Sequence, residues 1–123
     1  MQVQLEHMSS RVEQTYTATI YVGMKEGYDG LVHTQQEAED ILRGYCDSVG
    51  LCVTVTPINF IYTNGDEPGL AVGLINYPRF PDAPDGIRGK AREIGWALLA
   101  AMGQQRVSIV CPDETIMLLR EAE

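Results

Sequence analysis

Between Thr15 and Val22 polar and apolar residues alternate without a break, with Tyr16, Ala18, Ile20 and Val22 on one side and Thr15, Thr17, Thr19 and Tyr21 on the other. A period of two predicts a half-buried strand. Gly23 to His33, with Gly23, Gly27 and Gly30, reads as a loop. Thr34 then offers an N-cap, and Glu37 three residues on completes a capping box. Ala38, Ile41, Leu42, Tyr45 and Val49 recur at helical spacing before Gly50, which predicts a helix over 35–49. Leu51 to Val55 and Ile58 to Tyr62 form a second strand interrupted by Pro57, which has no N–H for a ladder and belongs on an edge or at a bulge. Asn64-Gly65 predicts a tight hairpin with positive φ at both residues.

Leu70 to Tyr77 is apolar or small at nearly every position, as expected of a strand shielded on both faces. A proline-rich loop, Pro78-Arg79-Phe80-Pro81-Asp82-Ala83-Pro84, leads to a second helix with Asp85 as its expected N-cap. That helix carries Ile87, Ala91, Ile94, Leu98 and Ala101 on one face and stops at Gly103. Arg106 to Cys111 is a further strand, and the segment from Asp113 to Leu119 reads as a short additional strand in preference to a short helix. The order βαββαβ predicts an α+β, ferredoxin-like split sandwich. A four-stranded antiparallel sheet of order 4-1-3-2 would carry both helices on one face. Residues 1–14 are expected to be a flexible segment and residues 15–123 a single domain; Leu5-Glu6-His7-Met8 reads as a cloning remnant, with Met8 as the natural start.

A length of 123 residues with 45% hydrophobic content suits one core. The net charge of -8 and nine scattered Lys and Arg leave no cationic footprint for a phosphate backbone, so nucleic acid is excluded as a partner. An RNA-recognition module shares this topology, but it needs exposed aromatics and basic residues on strands that here offer mainly threonine. The apolar stretches are far shorter than the roughly 20 residues of a membrane span. Cys46, Cys52 and Cys111 make no close pair, and with no secretory leader the expected location is the cytoplasm. Cys52 and Cys111 are expected in the core. Two histidines and three separated cysteines lack zinc spacing, and neither a dinucleotide nor a P-loop signature is present, so no metal or cofactor is expected.

Two regions carry candidate chemistry. Tyr77, Arg79 and Phe80 sit among prolines that restrict the backbone, so they could meet a planar, anionic ligand at low ordering cost. The plain alternative is a stiff connector, with Phe80 stapling the second helix and Arg79 paired with Asp82 or Asp85. At the opposite end the topology gathers Tyr28, Asp29, His33, Asn64, Asp66 and Glu67 around a glycine-bearing loop, where His33 could serve as a base. A histidine before an N-cap is more commonly a surface residue. Because the strand at 70–77 is apolar on both sides, a second copy of the chain is the expected cover for the face opposite the helices, the alternative being that the N-terminal segment or the tail from Ile116 to Leu119 folds across it.

The runs Cys52-Val53-Thr54-Val55-Thr56-Pro57, Gly73-Leu74-Ile75-Asn76-Tyr77-Pro78-Arg79-Phe80-Pro81 and Ser108-Ile109-Val110 with Pro112-Asp113-Glu114-Thr115 resemble small proteins of phages and mobile elements. The resemblance covers most of residues 15–120. That family has no assigned activity, so the resemblance implies an accessory role and no catalytic residues. The resulting expectation is a non-enzymatic homo-oligomer, first of all a dimer, that binds a small molecule such as a nucleotide-like signal, or a host protein, through Tyr77, Arg79, Phe80, Tyr28 and His33. The competing expectation is a small enzyme of the dimeric α/β-barrel type using His33 or a nearby carboxylate as base.

Overall fold

In the computed structural model, which describes residues 5–28 and 30–121, the alternation of the first strand becomes two physically different faces. Tyr16, Ala18, Ile20 and Val22 are buried, whereas Thr17 and Tyr21 are exposed. The elements are β1 (Thr17–Gly23), α1 (Gln35–Val49), β2 (Val53–Tyr62), β3 (Gly65–Ile75), α2 (Pro84–Ala101), β4 (Arg106–Val110) and β5 (Thr115–Leu119), preceded by a 3-10 turn at Leu5–His7. Sheet order is β2-β3-β1-β4-β5, with every neighbouring pair antiparallel. The sheet has five strands in place of the four of the split sandwich: the short additional strand expected within 113–119 is present as β5, which pairs along the whole of β4 and alternates buried Ile116 and Leu118 with exposed Met117 and Leu119.

Both helices cover one face. Leu70, Val72 and Leu74 of β3, Val107 and Ile109 of β4, Leu42 of α1 and Ile94 and Leu98 of α2 form the centre of the core. Each such side chain contributes about 1.5 to 3 kcal/mol on leaving water. Gly95 of α2 lets the helix settle close to the sheet: a Cβ there would stand 2.7 Å from Leu118 Cδ1. Arg88 of α2 ties the bottom of the molecule together, donating to Tyr16 Oη at 2.7 Å and to Asp113 Oδ2 at 2.9 Å. Burial, with hydrogen bonds to Cys111 and Asp113 adding to it, pushes the Tyr16 phenol up to about 12.

Several local expectations shift. Thr34 caps α1 as read, accepting from the Glu37 N–H at 3.2 Å. For α2 the cap is Ala83 rather than Asp85, since Pro84 occupies the first helical position, where its missing N–H costs nothing, and Asp85 falls in the first turn beside Arg88. The hairpin turn moves back one residue, to Thr63-Asn64, with positive φ at Asn64 alone (65°). Gly65 is drawn into the ladder because the Tyr62 ring lies on it, 2.5 Å from where a Cβ would sit. β2 runs unbroken through Pro57 because it is the sheet edge. Cys111 is buried as expected, but Cys52 is exposed at the start of that edge strand.

The opposite face has no helix upon it among the described residues. The continuous apolar reading of β3 arises from small residues there: Gly69 is buried, Ala71 and Gly73 are half-buried, and Ile75 is 47% exposed. Tyr21, Val110, Met117 and Leu119 share this face with Ile75 and are exposed as well.

Candidate functional site

Register places the aromatic residues of β2 on this helix-free face. Phe60 and Tyr62 are two apart on one side of the strand; β3 supplies Gly65 directly opposite Tyr62 and Gly69 on the diagonal from Phe60. With no Cβ on those glycines, the Phe60 ring rests on Gly69 and the Tyr62 ring on Gly65. The two rings thus lie down on the sheet instead of standing from it. Glu67, between the two glycines, faces Phe60 across the ladder.

A cavity of about 510 Å³ opens beside these rings, at the end of the sheet where β1 finishes. Tyr21 and Gly23 line it from β1, Lys25, Gly27 and Tyr28 from the following loop, and Glu67 from β3. The connection between α2 and β4 adds Gly103, Gln104 and Gln105, and β4 adds Arg106 and Ser108. Burial, reinforced by the Glu67 charge, holds the Tyr62 phenol above its ordinary value, so its hydroxyl remains a neutral donor. Gln104 is only 8% exposed, and its Nε2 donates to Lys25 O at 3.0 Å and Met102 O at 2.9 Å. Arg120, just beyond β5, fixes the same connection by donating from Nε to Gln104 O at 3.1 Å and from Nη2 to Leu99 O at 3.3 Å.

The loop carrying Tyr28 folds back on itself through Glu26 N–H to Leu31 O (2.9 Å) and His33 N–H to Met24 O (2.7 Å), with Gly27 at φ 65°. His33 stands behind this loop, not in the cavity. Its Nδ1 lies 2.6 Å from Glu37 Oε2, and its Nε2 lies 3.3 Å from Glu26 Oε1 without a hydrogen-bonding direction. The Glu37 hydrogen bond, helped by Glu26 and opposed by burial, raises the His33 pKa. His33 is therefore a clamp between loop and α1, with Glu37 held below the ordinary carboxylate range in return.

Of the residues expected near this end, Tyr28 and Glu67 line the cavity, while Asn64, Asp66 and His33 do not; Asp29 lies outside the described residues. Tyr77, Arg79 and Phe80 lie at the other end of the sheet. They line neither this cavity nor the more open one between α1 and β2. There the Arg79 guanidinium sits 5.3 Å from the Phe80 ring centroid, Asp82 pairs with Lys90 at 3.0 Å, and Phe80 packs by Gly50. Arg79 thus satisfies itself on Phe80 rather than on Asp82 or Asp85. Among the described residues no three His, Cys, Asp or Glu side chains gather to hold a metal ion.

Sequence reasoning missed Phe60, Tyr62, Gln104 and Arg106. The first two had a signal: aromatics on one strand of a hairpin facing glycines on the other mark a place where rings can lie flat. Gln104 had none, being one polar residue after a helix stop.

No protein-family model matches the chain, and no curated protein matches its sequence. Among solved structures, a phage SAM lyase in its apo state aligns over 94% of this chain and 98% of its own, with a TM-score of 0.77 at 15% identity. A phage SAM lyase in complex with S-methyl-5'-thioadenosine aligns over 92% of this chain and 96% of its own, with a TM-score of 0.74 at 14% identity. The chain shares the fold of these lyases. Both neighbours are phage proteins, in line with the resemblance to phage and mobile-element proteins. The expectation of a non-enzymatic binding protein is corrected by them: the fold hosts an enzyme in both, which favours the competing expectation of a small enzyme. A site without a triad, a metal set or a phosphate loop writes no motif, so the residues alone could not separate a binding protein from an enzyme on this fold.

Proposed function

We propose that the protein cleaves the carbon–sulfur bond of S-adenosylmethionine, releasing S-methyl-5'-thioadenosine, in the cavity between Phe60, Tyr62, Glu67 and Gln104. The observation that carries this reading is an aromatic-floored cavity of about 510 Å³ with, among the described residues, a single lining carboxylate, on the fold of phage SAM lyase. Its volume lies within the roughly 300–1,000 Å³ of small-molecule sites. The flat rings suit an adenine, Lys25 and Arg106 offer positive charge to a carboxylate, and Glu67 offers negative charge to a sulfonium or ammonium group.

The chemistry fits a site without a histidine. When the Cγ–S bond of a sulfonium breaks, its electron pair moves to sulfur, which leaves as a neutral thioether and takes up no proton. The substrate's own carboxylate can form the new C–O bond at Cγ, giving a five-membered lactone with all atoms accounted for. The protein then has to fold the substrate chain and exclude water, which is catalysis by proximity. His33, one of the two bases expected from sequence, stands outside the cavity, so elimination would have to use the other, a carboxylate, for which Glu67 lines the cavity; the intramolecular route needs no base at all.

Incubation with S-adenosylmethionine in ¹⁸O-water, followed by mass spectrometry, tests the reading. Methylthioadenosine with a lactone free of heavy oxygen is the expected product pair. Absence of methylthioadenosine removes the activity; heavy-oxygen homoserine formed without prior lactone, or an unsaturated amino acid, removes the intramolecular route.

Three earlier expectations enter this reading as proposals. The split-sandwich arrangement is supported by β4-β1-β3-β2 as the succession within the sheet. Self-association, with a second copy against the helix-free face, is supported by exposed Tyr21, Ile75, Val110, Met117 and Leu119; sedimentation at a single-chain mass defeats it. A cytoplasmic location is supported by three free cysteines, and no described helix is long and apolar enough to cross a membrane.

A further inference from the structure

Gly23 ends β1 with its missing side chain directed into the cavity, on the same face as Tyr21. A Cβ built there would stand 2.6 Å from Gln104 Oε1 and 3.0 Å from Glu67 Oε1. Two oxygens from different elements thus converge on one bare point of backbone. The orientation of the Gln104 amide follows from its neighbours. Lys25 O and Met102 O are both acceptors, so the atom 3.0 and 2.9 Å from them must be the NH₂, and the carbonyl oxygen must turn the other way. Among the described residues nothing donates to that oxygen. It is an aimed acceptor on a side chain more than nine-tenths buried, beside a carboxylate, over a residue with no side chain to fill the gap.

We propose that Gly23, Gln104 and Glu67 form a cradle for a positively charged centre of the ligand, with Gly23 as its floor and Gln104 as its preset dipole. The Glu67 carboxylate favours a positive charge over a neutral donor at this point; the identity of the ligand as a sulfonium nucleoside rests on the function proposed above. Because the oxygens are fixed before binding, little reorganisation opposes the attraction. The cradle should therefore separate charged substrate from neutral thioether product. It should also act on binding more than on rate, since the positive charge on sulfur fades as the C–S bond breaks.

The test is calorimetric titration of wild type, Gly23→Ala and Gln104→Leu with three probes. One is an aza analogue of S-adenosylmethionine with a protonated nitrogen in place of sulfur; the others are S-adenosylhomocysteine, which keeps only the ammonium group, and methylthioadenosine, which has neither charge. Circular dichroism confirms folding of each variant. Both variants are expected to weaken the aza analogue by about tenfold or more while methylthioadenosine changes less than twofold. If S-adenosylhomocysteine loses as much as the aza analogue, the cradled group is the ammonium; if it behaves as methylthioadenosine does, the group is at the sulfur position. Equal weakening of charged and neutral probes overturns the cradle and leaves the lyase reading standing. Should wild type bind none of the three, the nucleoside reading falls, and titration with trimethylsulfonium decides the cradle: binding lost in both variants upholds it, and no binding to wild type ends it. With S-adenosylmethionine as substrate, Gln104→Leu should raise KM with kcat unchanged or higher; a fall in kcat at constant KM is incompatible with the proposal.

Discussion

The two ends of the sheet are built on opposite principles. At the end where β3 finishes, the loop from Asn76 to Ala83 is stiff and uses its polar groups internally: Asn76 Nδ2 donates to Gln14 O at 2.8 Å, its Oδ1 accepts from the Asp82 N–H at 2.9 Å, and the Phe80 N–H reaches Tyr77 O at 2.8 Å. At the end where β1 finishes, glycines remove side chains, and an amide oxygen and a carboxylate face a cavity. Prolines and an arginine made the first end look like the site. Rigidity, however, is not concavity: Tyr77, Arg79 and Phe80 line neither cavity.

The comparison is broken or sharpened most strongly by Glu67→Gln set beside Arg79→Ala. Loss of the carboxylate should lower kcat/KM for S-adenosylmethionine by roughly a hundredfold, the size of a charge contact removed from a low-dielectric site, whereas Arg79→Ala should change it less than twofold in the same assay. Next in size is Asn76→Ala, which should cost about 1 kcal/mol in urea unfolding by removing two hydrogen bonds to backbone while leaving kcat/KM intact; an activity loss with full stability would move function to that end. Tyr28→Ala, at a residue 83% exposed on the cavity lip, should raise KM by about two- to fivefold and leave the thermal midpoint unchanged.

The smallest effect concerns His33. Its folded pKa is raised, so its contribution to stability is complete below the unfolded value of about 6.5 and is lost as pH rises through the folded value. Denaturation midpoints of wild type and His33→Ala should therefore differ most below the unfolded value and converge as pH rises through the folded one. A gap that widens with pH would contradict the Glu26–His33–Glu37 clamp.

Much of the architecture was legible because it rests on periodicity. Thr34 and Glu37 announced α1, and strict alternation announced β1. The shift of the hairpin turn was not legible, since Gly65 could serve either a positive-φ turn or the Tyr62 ring, and only the pairing of β2 with β3 decides between them. The same blindness hid the cavity. Its floor depends on glycines that lie under aromatics some residues away, and its fixed amide depends on two carbonyls, at Lys25 and Met102, that no local pattern connects.

The grip of Arg120 on Gln104 O and Leu99 O gives the last strand a duty besides widening the sheet. Cutting the chain after Pro112 would spare every strand of the minimal sandwich yet strip the brace from the wall that aims Gln104. Engineers seeking the smallest working version should accordingly keep the tail through Arg120, and place any fusion partner beyond it.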